Sequence, residues 1–144
     1  MSLYNQLSNI SPLNYVEEIE KKISEILKLL SSVSIIVLTL GSDGAMACVR
    51  TLKENNFEFI KVPSIQVNVI DTTGAGDTFL GYFIATLSKE NTYDGWKDIP
   101  SIRKALQRAS VAGGLACERL GAMTSIPSEK EVDQRLIQYQ SSNM

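Results

Sequence analysis

The sequence predicts an α/β fold with a largely parallel sheet, and three observations carry this prediction. Residues 14–30 repeat apolar side chains every three or four positions, which indicates an amphipathic helix. Residues 34–40 form a short β-branched run that is apolar on both faces, as in a strand covered by helices on both sides. Residues 65–87 change from a strand-like run into a glycine-containing turn and then into an apolar helix.

The first half of the chain carries clear signals for its elements. The first helix begins with a capping box, since Glu17 follows Asn14 by three residues. Its apolar face comprises Val16, Ile19, Ile23, Ile26, Leu27 and Leu30. The strand over 34–40 ends in a turn at 41–44. Residues 45–50 and 57–62 then bracket the polar stretch 53–56, which predicts a β-hairpin.

The second half begins after Pro63 with a predicted strand over 65–70, followed by a helix over 78–87 that is apolar nearly all round. A second long helix is predicted over 99–120. Its Gly113-Gly114 pair is unfavourable in a helix and therefore indicates close approach of another backbone or of a ligand. A last helix is predicted over 128–138.

Composition excludes several classes of protein. The 144 residues are 44% hydrophobic and 21% charged, as in soluble folded domains, and the net charge of −2 lacks the basic excess of a nucleic-acid binder. The chain has no histidine, which excludes Ser-His-Asp triads and histidine-ligated zinc. Cys48 and Cys117 form no Cys-x-x-Cys motif, and no apolar run is long enough to span a membrane. We therefore expect a cytoplasmic protein whose partners include neither nucleic acid nor a membrane.

The most informative segment is the turn at 71–77. Gly74 and Gly76 bracket Ala75 just before a helix, so a ligand can approach the backbone N–H groups, and the helix dipole favours an anion there. A phosphate group is the expected anion. Asp77 follows directly, and a carboxylate beside a phosphate is explained if it accepts the proton of an attacking hydroxyl. The segment therefore predicts phosphoryl transfer.

Other phosphate-binding motifs do not fit this turn. A dinucleotide-binding Gly-x-Gly-x-x-Gly motif needs glycine where Phe79 stands, and a P-loop needs Gly-Lys-Ser/Thr, which the chain lacks. An ordinary tight turn with Asp77 as a helix cap stays open on these residues alone.

The turn and its flanks resemble the C-terminal signature of the ribokinase-like, pfkB-type sugar kinases, in the string Asp71-Thr72-Thr73-Gly74-Ala75-Gly76-Asp77-Thr78-Phe79. Tyr82 departs from the small residue usual in that family. The resemblance implies a three-layer α/β/α sandwich. It also implies that Gly74, Ala75 and Gly76 form the anion hole for the transferring phosphate, and that Asp77 is the catalytic base.

A second segment that matches the family is the turn after the first strand, which resembles the family's nucleotide loop. The resemblance implies contacts to the phosphates and ribose of ATP from Thr39, Leu40, Gly41, Ser42, Asp43 and Gly44, with Gly76 and Asp77 at the phosphate end. Ser110 stands where the family usually has an asparagine near the adenine, which implies an indirect contact with the base.

The third matching segment, 110–127, resembles the family's monovalent-cation site. The resemblance implies ligand oxygens from Asp71, Thr73, Ala116, Arg119, Gly121 and Ser125. Such an oxygen-only set suits a hard cation of low charge, here K⁺, which would order the neighbouring turn at 71–77. An ordinary helix end with a proline stop is the alternative for residues 121–127.

The resemblance maps onto the C-terminal, nucleotide-binding part of a ribokinase-like enzyme. The family's β-sheet lid, its Gly-Gly sugar motif, its first strands and its magnesium-associated Asn-x-x-Glu motif are not found, so we expect residues 1–144 to form a partial kinase domain. The exposed edge of a truncated sheet favours association, for example as a homodimer.

The function that the resemblance implies is transfer of the γ-phosphate of ATP to a sugar hydroxyl, with Mg²⁺ screening the phosphates. The segment 121–127 favours ribose as the acceptor. Three alternatives stay open: a fructokinase or nucleoside-kinase relative, a non-catalytic nucleotide-binding module, and a structural relic that binds nothing.

Overall fold

The computed structural model describes residues 12–51, 56–89 and 98–142, which form four α-helices and three strands. In chain order these are α1 (Pro12–Leu29), β1 (Ile35–Thr39), β2 (Ala45–Arg50), β3 (Phe57–Val62), α2 (Ala75–Lys89), α3 (Ile99–Ala116) and α4 (Glu129–Ser142), with a 3₁₀ turn at Gly41–Asp43. The predicted helices and the β-hairpin are confirmed, although α3 ends at Ala116 rather than at residue 120. The capping box predicted at Asn14 is wrong, because α1 already begins at Pro12. Residues 53–55 of the predicted polar turn lie outside the described residues.

The sheet orders its strands β1-β2-β3. Two backbone hydrogen bonds flank the β1–β2 pair, from Arg50 N–H to the Ser34 carbonyl at 2.9 Å and from Leu40 N–H to the Gly44 carbonyl at 2.8 Å. Because the pairing runs in opposite directions along the two strands, β1 and β2 are antiparallel. The largely parallel sheet that the sequence predicts is therefore not confirmed in the described residues.

The strand predicted over 65–70 is wrong, because this segment belongs to no ladder among the described residues. Some of its apolar side chains pack in the core instead of in a sheet. Ile65 is buried in a core cluster with Val111, Leu115 and Val132, and Val67 packs against that cluster. A β-branched apolar run shows a preference for extended backbone, whereas a strand also needs a neighbouring strand.

The chain divides into two compact units, the first comprising Met1–Ile36 and Cys48–Phe59. Here Ile19, Ile23 and Leu27 form the buried stripe of α1. Ile26, predicted on the same face, is 45% exposed because it lies about 100° around the helix from Leu27. Leu30 lies beyond the helix end and is 47% exposed.

The backbone carbonyl groups at the end of α1 accept hydrogen bonds from a side chain of β2. The Arg50 guanidinium donates to the carbonyl oxygens of Leu27, of Leu30 at 3.2 Å and of Val33 at 3.3 Å. It also lies over the Phe57 ring, 5.4 Å from the centroid. Since the last carbonyls of a helix lack internal partners, Arg50 stabilises the point where α1 stops.

The second unit comprises Val37–Ala47 and Ile60–Met144 and has α3 at its centre. The fully buried side chains of α3 are mostly small, namely Ile102, Ala105, Leu106, Ala109, Ala112 and Ala116. The helices α2 and α4 both pack against α3. These small side chains allow the neighbouring helices to approach α3 closely.

One face of α2 is uncovered in the described residues. Phe79 and Phe83 are buried and stack with their ring centroids 6.4 Å apart, whereas Leu80 and Ile84 are 53% and 55% exposed. The prediction of a helix buried nearly all round is therefore wrong for this face, since α3 covers one side of α2. Among the described residues, no helix is both long and apolar enough to cross a membrane.

Candidate functional site

Asp71 joins the turn at 71–77 to the segment that follows α3. Its Oδ1 accepts a hydrogen bond from the Thr73 N–H at 2.9 Å, and its Oδ2 accepts one from the Gly121 N–H at 3.0 Å. Hydrogen bonds from the Thr73 side chain, and then from the backbone of Gly121 and Thr73, hold the pKa of Asp71 below its ordinary value. The Asp71 carboxylate is therefore an ionised bridge between two loops that are 50 residues apart.

Gly74 is required by both its backbone conformation and its surroundings. Its φ of +77° lies in the left-handed region, which L-residues with a side chain adopt at a cost. A Cβ atom there would lie 3.0 Å from both Cα and Cβ of Ala122. The turn at 71–77 is therefore packed closely against the segment after α3.

The first turn of α2 presents backbone N–H groups beside open space. The Ala75 N–H donates to the Thr72 carbonyl at 3.2 Å, and the Thr78 N–H donates to the Gly74 carbonyl at 2.9 Å. Gly76 and Asp77 lie between them, where a helix has no carbonyl one turn earlier to accept their N–H groups. A Cβ on Gly76 would meet no heavy atom within 4 Å. Together with the helix dipole, these amides suit an anion.

A cavity of about 1090 Å³ brings two of the predicted segments together. From the predicted nucleotide loop it is lined by Thr39, Gly41, Ser42 and Gly44, from the predicted anion hole by Ala75 and Gly76, and from α3 by Ser110. Among the residues predicted to contact ATP or to form the anion hole, Leu40, Asp43, Gly74 and Asp77 do not line it. The cavity is of the size that proteins use for cofactor-sized ligands.

The loop before β2 is held in shape by its own backbone. The Asp43 N–H donates to the Leu40 carbonyl at 3.1 Å, and the Gly44 N–H donates to the Gly41 carbonyl at 3.2 Å. Gly44 has a φ of +97°, and a Cβ there would lie 2.1 Å from the Val62 carbonyl oxygen. This turn is therefore too tight against the end of β3 for any residue but glycine at position 44.

Ser110 and the glycine pair of α3 form one wall of the cavity. Ser110 is buried, and its hydroxyl donates to the Pro63 carbonyl at 3.2 Å, so its proton is directed at the backbone rather than into the cavity. A Cβ on Gly113 would lie 3.2 Å from the Ala75 carbonyl oxygen, and one on Gly114 would lie 2.6 Å from Cγ1 of Ile65. The predicted close approach of another backbone is confirmed at Gly113, whereas the close neighbour of Gly114 is the Ile65 side chain.

The predicted cation ligands lie in and around the Asp71–Gly121 connection. Ser125 is fully buried, and because its hydroxyl donates to the Ala122 carbonyl at 2.8 Å, the remaining capacity of its oxygen is to accept. The Ala116 carbonyl accepts from the Arg119 N–H at 3.3 Å. A set of backbone, hydroxyl and carboxylate oxygens with a single carboxylate fits a monovalent cation. Among the described residues there is no group of three or more cysteine or acidic residues that could hold a metal ion.

Asp77 is exposed and lines a second cavity of about 510 Å³. Tyr82, Lys89, Lys104 and Arg108 also line this second cavity. The Tyr82 hydroxyl donates to the Pro127 carbonyl at 2.6 Å, which gives a structural role to the side chain that departs from the family pattern. Asp77 therefore lines the second cavity and not the larger one.

Two ion pairs near the site were not predicted from the sequence. Arg135 donates through Nη2 to both carboxylate oxygens of Glu118, at 2.9 and 3.1 Å, and both side chains line the larger cavity. Arg119 forms an ion pair with Glu131. Each pair joins α4 to the end of α3 or to the segment after it, so no local spacing could have indicated the contact.

Comparison with known proteins agrees with this geometry. The family model described as "pfkB family carbohydrate kinase" matches residues 6–129. Ribokinase from Lactococcus lactis is 35% identical over 121 residues, which cover 84% of this chain and 32% of that protein. Fructokinases and an aminoimidazole riboside kinase from Salmonella typhimurium are among the other relatives.

Solved structures show the same similarity in three dimensions. Ribokinase from Giardia lamblia superposes with a TM-score of 0.69 at 32% identity, over 85% of this chain and 37% of that one. Fructokinase from Vibrio cholerae, in a form with fructose, ADP and calcium ion bound, gives a TM-score of 0.63 at 32% identity, over 79% of this chain and 35% of that one. The fold is therefore ribokinase-like.

The chain belongs to the pfkB family of carbohydrate kinases, as its turn at 71–77 predicts. Members of this family are phosphotransferases that act on an alcohol group. The chain spans about a third of the length of the ribokinase and fructokinase relatives that it matches.

Proposed function

We propose that this chain is the nucleotide-binding portion of an ATP-dependent sugar kinase, and that the acceptor is the hydroxyl group of ribose. The observation that supports this proposal most directly is the cavity of about 1090 Å³, in which the loop before β2 meets the first turn of α2. ATP would occupy this cavity with its base toward Ser110 and the glycine pair of α3. Its phosphates would lie toward Ala75 and Gly76.

The first turn of α2 supplies the electrostatic part of the reaction. Negative charge develops on the transferring phosphate, and the fixed N–H groups of Gly76 and Asp77 stabilise it without having to reorganise. The Asp77 carboxylate accepts the proton of the attacking sugar hydroxyl. The hydroxyl oxygen attacks the γ-phosphorus, and the bond from that phosphorus to the β-phosphate oxygen breaks, so that ADP leaves. Because Asp77 lines the second cavity, the sugar hydroxyl would approach the phosphate from that cavity.

Two cations belong to the proposal. A K⁺ ion would be held by oxygens of Asp71, Thr73, Ala116, Arg119, Gly121 and Ser125, and when bound it supplies a positive charge that keeps the 71–77 turn in place. For Mg²⁺ we propose a position on the phosphates of ATP, where it offsets their charge.

Ribose is proposed over fructose because of the segment 121–127, which also packs on the catalytic turn through Ala122. The relatives act on several acceptors, since ribokinases, fructokinases and an aminoimidazole riboside kinase all match. We further propose a cytoplasmic location, association as a homodimer, and no nucleic-acid or membrane partner.

The direct test is calorimetry with ATP combined with a coupled assay that offers ribose, fructose and aminoimidazole riboside to the 144-residue protein. We expect the 144-residue protein to bind ATP, and we expect the highest kcat/KM with ribose when the sugar-binding portion of a ribokinase is added to the assay as a separate chain. Asp77→Asn should keep the affinity for ATP and lose about 10²–10⁴-fold in turnover, as expected for removal of a general base. Glu25→Gln, which removes an exposed carboxylate on α1, is the matched control and should behave as the wild type. Unchanged turnover in Asp77→Asn would disprove the assignment of the base.

A second candidate function is a nucleotide-binding protein without transfer activity. It is favoured because Asp77 does not line the larger cavity, in which we place ATP, but lines the second cavity. This candidate predicts heat of ATP binding with no turnover of any of the three acceptors.

A further inference from the structure

The segment between α3 and α4 is held at both ends by one carboxylate. Oε2 of Glu131 accepts hydrogen bonds from the N–H and the hydroxyl of Ser128, both at 2.7 Å, at the end of the segment. The other oxygen, Oε1, accepts from the guanidinium of Arg119 at its beginning. Residues 119–128 therefore start and finish on the same side chain.

The held segment is the one that contacts the catalytic turn. Its Gly121 N–H donates to Oδ2 of Asp71 at 3.0 Å, and its Ala122 packs against Gly74. Within the segment, the Ser125 hydroxyl donates to the Ala122 carbonyl at 2.8 Å. A displacement of the segment would therefore move Asp71 and Gly74 at the beginning of the proposed anion hole.

The electrostatics of Glu131 agree with this arrangement. The backbone and hydroxyl of Ser128, followed by Arg119, lower the pKa of Glu131 from 4.5 to about 2. The side chains of Arg119 and Glu131 are 41% and 39% exposed, so as an isolated ion pair they would contribute little to stability. The importance of the contact lies in its position, because it closes the loop that carries Gly121 and Ala122.

We propose that Glu131, together with Arg119, is a positioning residue that holds residues 119–128 against the turn at 71–77 and so shapes the phosphate site. The expected effect of this positioning on the affinity for phosphate groups rests on the proposed function. The mechanical part, the coupling of Glu131 to the 71–77 turn, does not depend on any ligand.

The first test measures amide hydrogen exchange in peptides that cover residues 71–77. Arg119→Met removes the ion pair but keeps the backbone carbonyl and the Ser128 cap, and Glu131→Gln removes the charge. We expect both variants to exchange about three- to tenfold faster over 71–77 than the wild type, through local opening of the Gly121–Asp71 contact. Asp133→Asn is the matched control, since it removes another ion pair of α4, to Arg108, and leaves the contacts of Glu131 with Arg119 and Ser128 in place. Exchange over 71–77 that is unchanged, or equally raised in Asp133→Asn, would overturn the proposal.

The second test compares the binding of ADP with that of adenosine. In Arg119→Met and Glu131→Gln we expect the affinity for ADP to fall about three- to tenfold while the affinity for adenosine stays within about twofold of the wild type. An equal loss for both ligands would overturn the positioning of the phosphate site. If the wild-type protein binds neither ligand, the proposed function fails, and the exchange experiment alone decides the coupling. Arg119→Lys is the milder variant if Arg119→Met does not fold, and it should change the same peptides in the same direction.

Discussion

Replacing Gly74 with alanine tests the geometry of the turn at 71–77. An alanine at a φ of +77° costs about 1–2 kcal/mol, because an L-residue in the left-handed region brings its Cβ too close to the carbonyl oxygen. The new Cβ would also lie 3.0 Å from Cα and Cβ of Ala122, which adds about 1 kcal/mol of overpacking. We therefore expect Gly74→Ala to destabilise the protein by about 2–3 kcal/mol in urea-induced unfolding followed by circular dichroism.

Gly76→Ala is the matched comparison, because it makes the same chemical change two residues further on with the opposite expected sign. Gly76 lies inside α2, outside the left-handed region, and a Cβ there meets nothing within 4 Å. Alanine is favoured over glycine in a helix by about 1 kcal/mol, so this variant should be as stable as the wild type or more stable. Its affinity for ATP should fall, because the methyl group occupies the space proposed for the phosphate.

The two variants together decide the interpretation. If Gly74→Ala unfolds at the same urea concentration as the wild type, the interpretation that Gly74 lies in a closely packed turn that requires glycine is wrong. If Gly76→Ala binds ATP as tightly as the wild type, the open space beside the first turn of α2 does not hold a phosphate.

Two further predictions concern the charged groups. Because the pKa of Glu131 is depressed to about 2, its contribution to stability is present above pH 4.5 and lost as the pH falls from 4.5 to about 2. Over this range, urea unfolding should show that the difference in unfolding free energy between the wild type and Glu131→Gln shrinks. A difference that stays constant with pH would contradict the assignment. Arg50→Met removes hydrogen bonds to the carbonyls of Leu27, Leu30 and Val33 and should destabilise the protein by about 1–3 kcal/mol. Arg50→Lys keeps the charge but lacks the planar guanidinium group, so its stability should lie between those of the wild type and Arg50→Met. If Arg50→Met is as stable as the wild type, these hydrogen bonds contribute nothing to stability.

The turn at 71–77 could be predicted from sequence because the effects that shape it are local. A glycine at a left-handed position, a helix that starts at the next residue and the N–H groups of that start depend on the residues in the string itself. The resemblance to sugar kinases then placed Asp71 and Gly121 in one set of ligands. The hydrogen bond of 3.0 Å between them brings these two residues together in the structure.

The predictions that failed all depend on a neighbour. Residues 65–70 have the side chains of a strand, but among the described residues no strand pairs with them, and Ile65 packs into the core beside α3 instead. Leu80 and Ile84 have the apolar character of buried residues, but α3 covers the opposite face of α2. Side-chain character shows what a residue prefers to contact, and it does not show whether the contact is available.

The sequence by itself determined the family, the helices and the glycine-containing turn at 71–77, because each of these depends on short strings whose conformational preferences are local. The tertiary structure alone decided which residues share a cavity, that Asp77 lines the second cavity rather than the larger one, and that Glu131 contacts both ends of the segment 119–128. These contacts join residues far apart along the chain, and the packing of α2, α3 and the segment before α4 sets them.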